Sequence, residues 1–244
     1  MCRIFMTSSM KQESNFSDRR KFLQLGTVTA LGLLVSASDL VWDVEQAQAD
    51  TLQPTPDQAL QKLIEGNQRF VNHLMRRPHQ ASTRLQEVSQ AQHPFATILS
   101  CADSRVLPEM LFDQGIGDLF DVRVAGNIAT PEVLGSIEYA VALLETPLLM
   151  VLGHERCGAV TAAVKNESLA NSQIDSFVKA IKPSVERVKQ QPGNLVDNAI
   201  IANVQDQIEN LKTSPILRDR TESNKLKILG GRYDLDTGKV TIIT

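Results

Sequence analysis

The chain of 244 residues is 42% hydrophobic and 22% charged, and its net charge is -3 at pH 7. This composition is typical of a globular protein, and the length is sufficient for one large core or two small ones. The small negative charge argues against a nucleic acid or an anionic membrane surface as the main partner.

The first 49 residues differ from the remainder and have the pattern of an export signal. A twin-arginine pattern, DRRKFL at 18–23, leads into an apolar run of small residues at 22–37, and Ala47-Gln48-Ala49 then fits an A-x-A cleavage site. We predict a twin-arginine signal peptide at 1–49 and a mature domain at 50–244. The protein is then periplasmic or extracellular, or located in a thylakoid lumen if the cell has internal membranes.

A membrane anchor is the alternative interpretation of this segment. The apolar run is short and interrupted, whereas a membrane-spanning helix needs about 20 apolar residues. We therefore expect no stable membrane insertion after the signal has been cleaved.

The mature chain alternates between strand and helix patterns. Apolar spacing predicts a first helix at 56–75, capped by Thr55, and a mostly irregular polar segment at 76–92. Short apolar runs predict strands, and amphipathic segments between them predict helices. The predicted strands are 95–100, 119–124, 148–152 and 225–233, and the further helices are 107–112, 131–144, 158–165, 174–190 and 195–211.

This alternation predicts an α/β fold with a mostly parallel four-stranded sheet and helices on both faces. A turn at 236–238 brings residues 239–243 back as an antiparallel edge strand.

Three residues with metal-binding side chains follow the ends of two predicted parallel strands. Cys101 comes just after the first strand, and His154 and Cys157 come just after the third. Ligands bind beyond the carboxyl ends of such strands, and two thiolates with one imidazole form a set that zinc uses when one position stays open. A disulfide between Cys101 and Cys157 is the alternative, because they are the only cysteines left in an exported protein once Cys2 is removed.

Three blocks, in this order, resemble the β-class carbonic anhydrases. They are Cys101-Ala102-Asp103-Ser104-Arg105, the segment GDLFDVRVAGN at 117–127, and His154-Glu155-Arg156-Cys157-Gly158. The likeness extends from about residue 55 to the C-terminus. It implies one Zn²⁺ per chain, bound by Cys101, His154 and Cys157, with water or hydroxide as the fourth ligand.

The same resemblance implies reversible hydration of carbon dioxide to bicarbonate and a proton by zinc-bound hydroxide. Asp103 would accept a hydrogen bond from the hydroxide, and Arg105 would hold Asp103 by a bidentate ion pair. In some relatives the equivalent of Asp103 swings onto zinc in a closed, inactive form. Gln114, or Gly115 in a competing alignment, and Gly158 are the candidate residues for binding substrate.

The resemblance also implies a homodimer or homotetramer in which the first helix packs on a partner subunit. Two other functions stay open: hydrolysis of carbonyl sulfide or carbon disulfide on the same scaffold, and non-catalytic binding of zinc or bicarbonate. The intact pair of Asp103 and Arg105 argues against the second, because a structural zinc site needs no such dyad.

Several other polar residues have less specific expectations. Arg123 is expected to bind an anion or to pair with Asp121, which stands where many relatives have an apolar residue. Arg156 is expected to be solvated or to attract bicarbonate. Surface or structural roles are expected for the remaining histidines, which are His73, His79 and His93.

Overall fold

The computed structural model describes residues 53–169 and 171–243. The predicted signal peptide and its boundary at residues 49 and 50 lie outside these residues. Among the helices within the two ranges, none combines the length and the apolar character that crossing a membrane requires.

A single sheet organises the part of the chain that the structure describes. Its strands are β1 (Ala96–Ser100), β2 (Leu119–Arg123), β3 (Leu148–His154), β4 (Lys227–Tyr233) and β5 (Val240–Ile243), in the order β2-β1-β3-β4-β5. The first four are parallel to one another, and β5 is antiparallel to β4. The mostly parallel sheet with an antiparallel edge is confirmed. It has five strands rather than four, because the edge strand hydrogen-bonds into the same sheet.

The α-helices of the described residues lie before β1 and between the strands up to β4. They are α1 (Pro56–Val71), α2 (Ser82–Val88), α3 (Pro108–Leu111), α4 (Pro131–Ala142), α5 (Gly158–Lys165), α6 (Ile174–Val188), α7 (Leu195–Lys212) and α8 (Pro215–Glu222). The predicted first helix was too long, because Asn72 caps α1 and His73 then adopts a left-handed backbone with φ of 57°.

The sequence interpretation assigned no element to the segment that forms α8. Its start nevertheless has a recognisable signal, since the Ser214 hydroxyl accepts a hydrogen bond from the Leu217 amide and Pro215 occupies the first turn. The helix is short and mostly polar, so apolar spacing alone did not reveal it.

Helices cover both faces of the sheet, as predicted. Alternate side chains of a strand point to opposite faces. On one face Ile98 belongs to a core with Leu63 of α1, and on the other face Leu99 and Val151 belong to a core with Ile137 of α4. The sheet is therefore buried on both sides, and its carboxyl edge is held in a fixed position.

The apolar side of α1 packs within its own chain. Ala59 and Leu63 are fully buried in the core beneath the sheet. Packing of α1 against a partner subunit stays a prediction, and it would have to use the other sides of the helix.

One buried amide ties α1 to the turn between β4 and β5. The Asn67 side chain donates to the carbonyl oxygens of Leu111 and Gly238 at 3.1 and 2.9 Å, and it accepts from the Val240 amide at 2.9 Å. These three bonds fix the position of the hairpin relative to the helix.

We expect Asn67→Ala to lower the free energy of unfolding by about 2–3 kcal/mol, because it leaves buried backbone groups without partners. Urea denaturation monitored by circular dichroism would measure the loss. Gln61→Ala, on the exposed side of the same helix, should change it by less than about 0.5 kcal/mol. Equal effects of the two substitutions would show that the Asn67 contacts are dispensable.

Candidate metal centre

The structure brings the three predicted metal ligands together. Cys101 follows β1, His154 ends β3, and Cys157 immediately precedes α5. Their donor atoms all lie within 4.8 Å of one another, and all three residues are buried. The arrangement follows from the topology, because β1 and β3 are adjacent parallel strands whose carboxyl ends meet at one edge.

Both thiols are free, so the disulfide alternative is not formed. A hydrogen bond from Cys157, together with contacts to His154 and the Gly126 amide, lowers the pKa of the Cys101 thiol to about 4. The same interaction with Cys101, reinforced by burial, raises the pKa of Cys157. Metal binding requires both sulfurs as thiolates, and a divalent cation at the cluster would favour that form of each.

The imidazole of His154 has the orientation expected of a metal ligand. Its Nδ1 lies 2.9 Å from the Glu155 carbonyl oxygen and must donate to it, so Nε2 carries the free lone pair. Nε2 is buried and has no hydrogen-bond partner among the described residues. A buried nitrogen without a partner is costly, and a metal ion at the cluster would satisfy it. The donor set therefore fits zinc.

The acidic member of the predicted dyad lies at the margin of this cluster. Asp103 Oδ2 is 3.9 Å from His154 Nε2. The Arg105 guanidinium donates to both carboxylate oxygens at 2.9 and 2.8 Å, and the Arg105 amide donates at 3.0 Å. This bidentate pair holds the pKa of the Asp103 carboxyl far below its usual range. Asp103 is therefore an anion held by Arg105. The two cysteines and His154 supply three donors, which leaves room at a zinc ion for a fourth, exchangeable ligand.

Arg123 supports this loop in a way that the sequence interpretation missed. Its guanidinium donates to the Cys101 carbonyl at 3.2 Å and to the Asp103 carbonyl at 2.8 Å, rather than to the Asp121 carboxylate. Anion binding by Arg123 stays a prediction. The strand register provides the signal for this contact, since Arg123 pairs with Ser100 at the last position of β1. The arginine side chain at this position is long enough to reach the Cys101 and Asp103 carbonyls that follow β1.

Asp121 has an unusual environment in β2. Its Oδ1 atom is buried without a hydrogen-bond partner. Burial, followed by the nearby Glu109 carboxylate, raises the pKa of Asp121 to about 8. Near neutral pH the Asp121 carboxyl is therefore mainly protonated in the folded state.

We expect Asp121→Asn to stabilise the protein increasingly as the pH rises from about 4 to 8. In that range the folded parent holds a proton that the unfolded chain, with an Asp pKa near 3.9, has lost, so the parent becomes less stable as the pH rises. The variant does not titrate there and should be more stable by at least about 1 kcal/mol at pH 8. Denaturation at pH 5 and pH 8 would measure this difference, with the exposed Asp219→Asn as control. A difference that does not change with pH would contradict the raised pKa.

The two candidate substrate residues occupy different environments. Gln114 is buried, and its side-chain amide donates to the Phe112 carbonyl at 2.8 Å. Gly158 is the exposed first residue of α5, and a Cβ atom added there would meet no protein atom within 4 Å. Space for a small ligand therefore exists beside Gly158. The substrate role of both residues stays a prediction.

The other histidines lie outside the metal cluster. His79 has a structural role, because its Nδ1 lies 2.7 Å from the Asp118 carboxylate, and His73 and His93 are exposed.

The two residues between His154 and Cys157 both reach the hairpin that joins β4 and β5. Arg156 adopts a left-handed backbone with φ of 51°, a conformation that costs a side-chain-bearing residue about 1–2 kcal/mol. Its guanidinium forms a bidentate pair with Asp236 at 2.9 and 2.7 Å. Arg156 is therefore paired with a carboxylate, while its side chain stays 51% exposed. The expectation that it is solvated agrees with this exposure, and attraction of bicarbonate stays a prediction.

Comparisons with known proteins agree with this geometry. A family model for carbonic anhydrase matches residues 96–240. The chain is 38% identical over 191 residues to carbonic anhydrase 2 of Mycobacterium tuberculosis, covering 77% of this chain and 92% of that protein. It is 32% identical over 200 residues to a carbonic anhydrase of Synechococcus elongatus, covering 76% and 72%. The solved structure of the β-carbonic anhydrase CcaA matches with a TM-score of 0.61 at 29% identity, covering 76% of this chain and 95% of that one.

Proposed function

The chain belongs to the β-carbonic anhydrase family, and we propose on this basis that it catalyses the zinc-dependent reaction CO₂ + H₂O ⇌ HCO₃⁻ + H⁺. One observation carries the proposal. The buried set of two sulfurs and an unpartnered imidazole nitrogen lies beside an aspartate that an arginine holds in its ionised form. Cys101, His154 and Cys157 would hold one Zn²⁺ per chain.

Zinc, when bound, supplies a nucleophile near neutral pH, because it lowers the pKa of the water that it binds to about 7. The protein groups then have separate tasks. The Asp103 carboxylate accepts a hydrogen bond at Oδ2 and so orients the group that attacks carbon dioxide. Arg105 keeps that carboxylate ionised and holds it away from the cluster. The proton released in the reaction leaves toward solvent.

Carbon dioxide hydration measured by stopped flow on the zinc-loaded protein, from pH 6.5 to 9, tests the proposal. Rapid hydration that disappears on removal of the metal is the expected result. A protein that holds one zinc per chain but is inactive over this range would contradict it. Carbonyl sulfide hydrolysis is then the next reaction to test, since it would use the same metal set. Failure to bind zinc would contradict the zinc enzyme as a whole.

We further propose that the protein is a homodimer or homotetramer. Exposed apolar side chains support this proposal, since Leu107, Met110 and Ile116 are between 39% and 50% exposed just after the Asp103–Arg105 loop. Multi-angle light scattering should give a mass of two or four chains, and a single-chain mass at micromolar concentration would contradict it.

We also propose export through the twin-arginine route, on the pattern at 18–23 and the A-x-A site. The exported protein should begin at Asp50 when its N-terminus is sequenced. Replacing Arg19 and Arg20 with lysine should retain the uncleaved chain inside the cell. Export of that variant at the parental level would contradict the proposal.

A further inference from the structure

We propose that the hairpin joining β4 and β5 acts as a clamp on the loop that carries two of the metal ligands. Arg156 and Asp236 are its positioning pair. The inference rests on the zinc site of the proposed function. It assigns a role to residues that form no part of the ligand set or of the Asp103–Arg105 dyad.

The loop between the two ligands is short and is held from one side. His154 and Cys157 are separated only by Glu155 and Arg156. The Glu155 amide donates to the Tyr233 carbonyl at 2.9 Å. This contact is made with β4, the strand that pairs directly with β3.

The Glu155 side chain adds two contacts with the same hairpin. One carboxylate oxygen accepts from the Leu235 amide at 3.2 Å, and the other lies 3.4 Å from the Arg232 guanidinium. The residue after the histidine ligand is thus fixed by its backbone and by its side chain.

Arg156 makes the decisive contact. Its left-handed backbone turns the chain so that Cys157 faces back toward His154 and Cys101. Asp236 anchors the guanidinium through two parallel hydrogen bonds, a geometry that restricts orientation more strongly than a single contact. The guanidinium also lies 3.5 Å from the Glu155 carboxylate, a contact within the loop itself. Asp236 is the partner that ties Arg156 to the hairpin, and without it the left-handed backbone can relax to an ordinary conformation and move the Cys157 sulfur.

The hairpin is rigid enough to serve as an anchor. The Asp234 carboxylate accepts hydrogen bonds from the Asp236 amide and from the amide and hydroxyl of Thr237 at 2.9–3.0 Å. The Asn67 side-chain amide of α1 also donates to the Gly238 carbonyl. The turn is therefore fixed independently of Arg156.

The rate of zinc release distinguishes this role from a merely structural one. Residues that orient metal ligands from outside the ligand set commonly change metal affinity by 10–100-fold when they are replaced. The ion pair is half-exposed, and exposed pairs contribute little to global stability. We therefore expect faster zinc release with an almost unchanged unfolding temperature.

The experiment compares zinc-loaded full-length variants by transfer of the metal to a colorimetric chelator at fixed pH. Asp236→Asn and Asp236→Ala should release zinc about tenfold faster than the parent. The absorption bands of the cobalt(II)-substituted protein should shift, because the positions of the sulfur and nitrogen donors change. Glu209→Gln is the matched control, since it breaks an equally exposed ion pair with Lys212 in α7 and should have no effect.

Two further variants separate the anchor from the backbone conformation. Arg156→Gly removes the anchor but adopts the left-handed backbone without strain, so it should release zinc more slowly than Asp236→Ala. The charge swap of Arg156→Asp with Asp236→Arg should restore the rate to within about twofold of the parent, because aspartate also tolerates this backbone conformation.

Parental release rates and cobalt spectra in both Asp236 variants would overturn the clamp, and equal rates in Arg156→Gly and Asp236→Ala would contradict the role of the strained backbone in it. These outcomes differ from a failure of the proposed function, in which the unsubstituted protein itself would bind no zinc or would fail to hydrate carbon dioxide.

Discussion

Replacing His154 with alanine should abolish zinc binding and lower kcat/KM for carbon dioxide hydration by a factor on the order of 10³ or more. The reason is the position of Nε2, which is buried, unpartnered and within 4.8 Å of both cysteine sulfurs. Removing it leaves two donors, too few for a stable zinc site of this type. Metal analysis after dialysis and stopped-flow hydration would measure both effects.

His93→Ala is the matched control for this prediction, because His93 is exposed and lies outside the cluster. It should retain one zinc per chain and the parental rate. If His154→Ala also kept its zinc and its activity, the ligand set inferred from the cluster would be wrong.

Asp103→Ala should separate catalysis from metal binding. We expect kcat/KM to fall by about 10²–10⁴ while the zinc content stays at one per chain. Asp103 is the carboxylate at the margin of the cluster, and it is not one of the three proposed metal ligands. Its loss removes the acceptor that orients the nucleophile but leaves both sulfurs and the imidazole in place.

A double-mutant cycle tests whether the dyad works as one unit. Arg105 acts through Asp103, to which it is bound by two side-chain contacts. Removing both residues should therefore cost little more than removing Asp103 alone, because groups that act together are strongly non-additive. Additive losses would show that Arg105 acts independently. A parental rate in Asp103→Ala would remove the dyad from the mechanism.

Local patterns were sufficient to predict the sheet and the meeting of the three ligands. Buried parallel strands have short continuous apolar runs, and Ala96–Ser100 and Leu148–His154 are buried along their whole length. Once these two strands are neighbours, Cys101 and His154 must share one edge. The family resemblance added the dyad, whose residues are two positions apart in the sequence and pair locally.

Contacts between distant segments could not be predicted in this way. The pairing of Arg156 with Asp236 joins residues far apart in the chain, and it depends on the exact position of the hairpin beside β3. The raised pKa of Asp121 likewise depends on its burial and on the nearby Glu109 of α3, which no periodicity encodes. Tertiary contacts therefore determine the roles of individual charged residues, whereas apolar patterns determine where the helices and strands form.

The metal donors lie at the ends of two different strands, so zinc binding is coupled to folding. Cys101 and His154 become neighbours only when β1 pairs with β3, so the unfolded chain offers the metal no equivalent site. Zinc therefore acts as a ligand of the native state alone and stabilises it by mass action, by about 2.7 kcal/mol at a free concentration of 100 times its Kd. Chelation should lower the unfolding temperature, which differential scanning calorimetry would record, and an unchanged temperature would contradict this linkage. A chain that folds before export therefore has its zinc site formed before export.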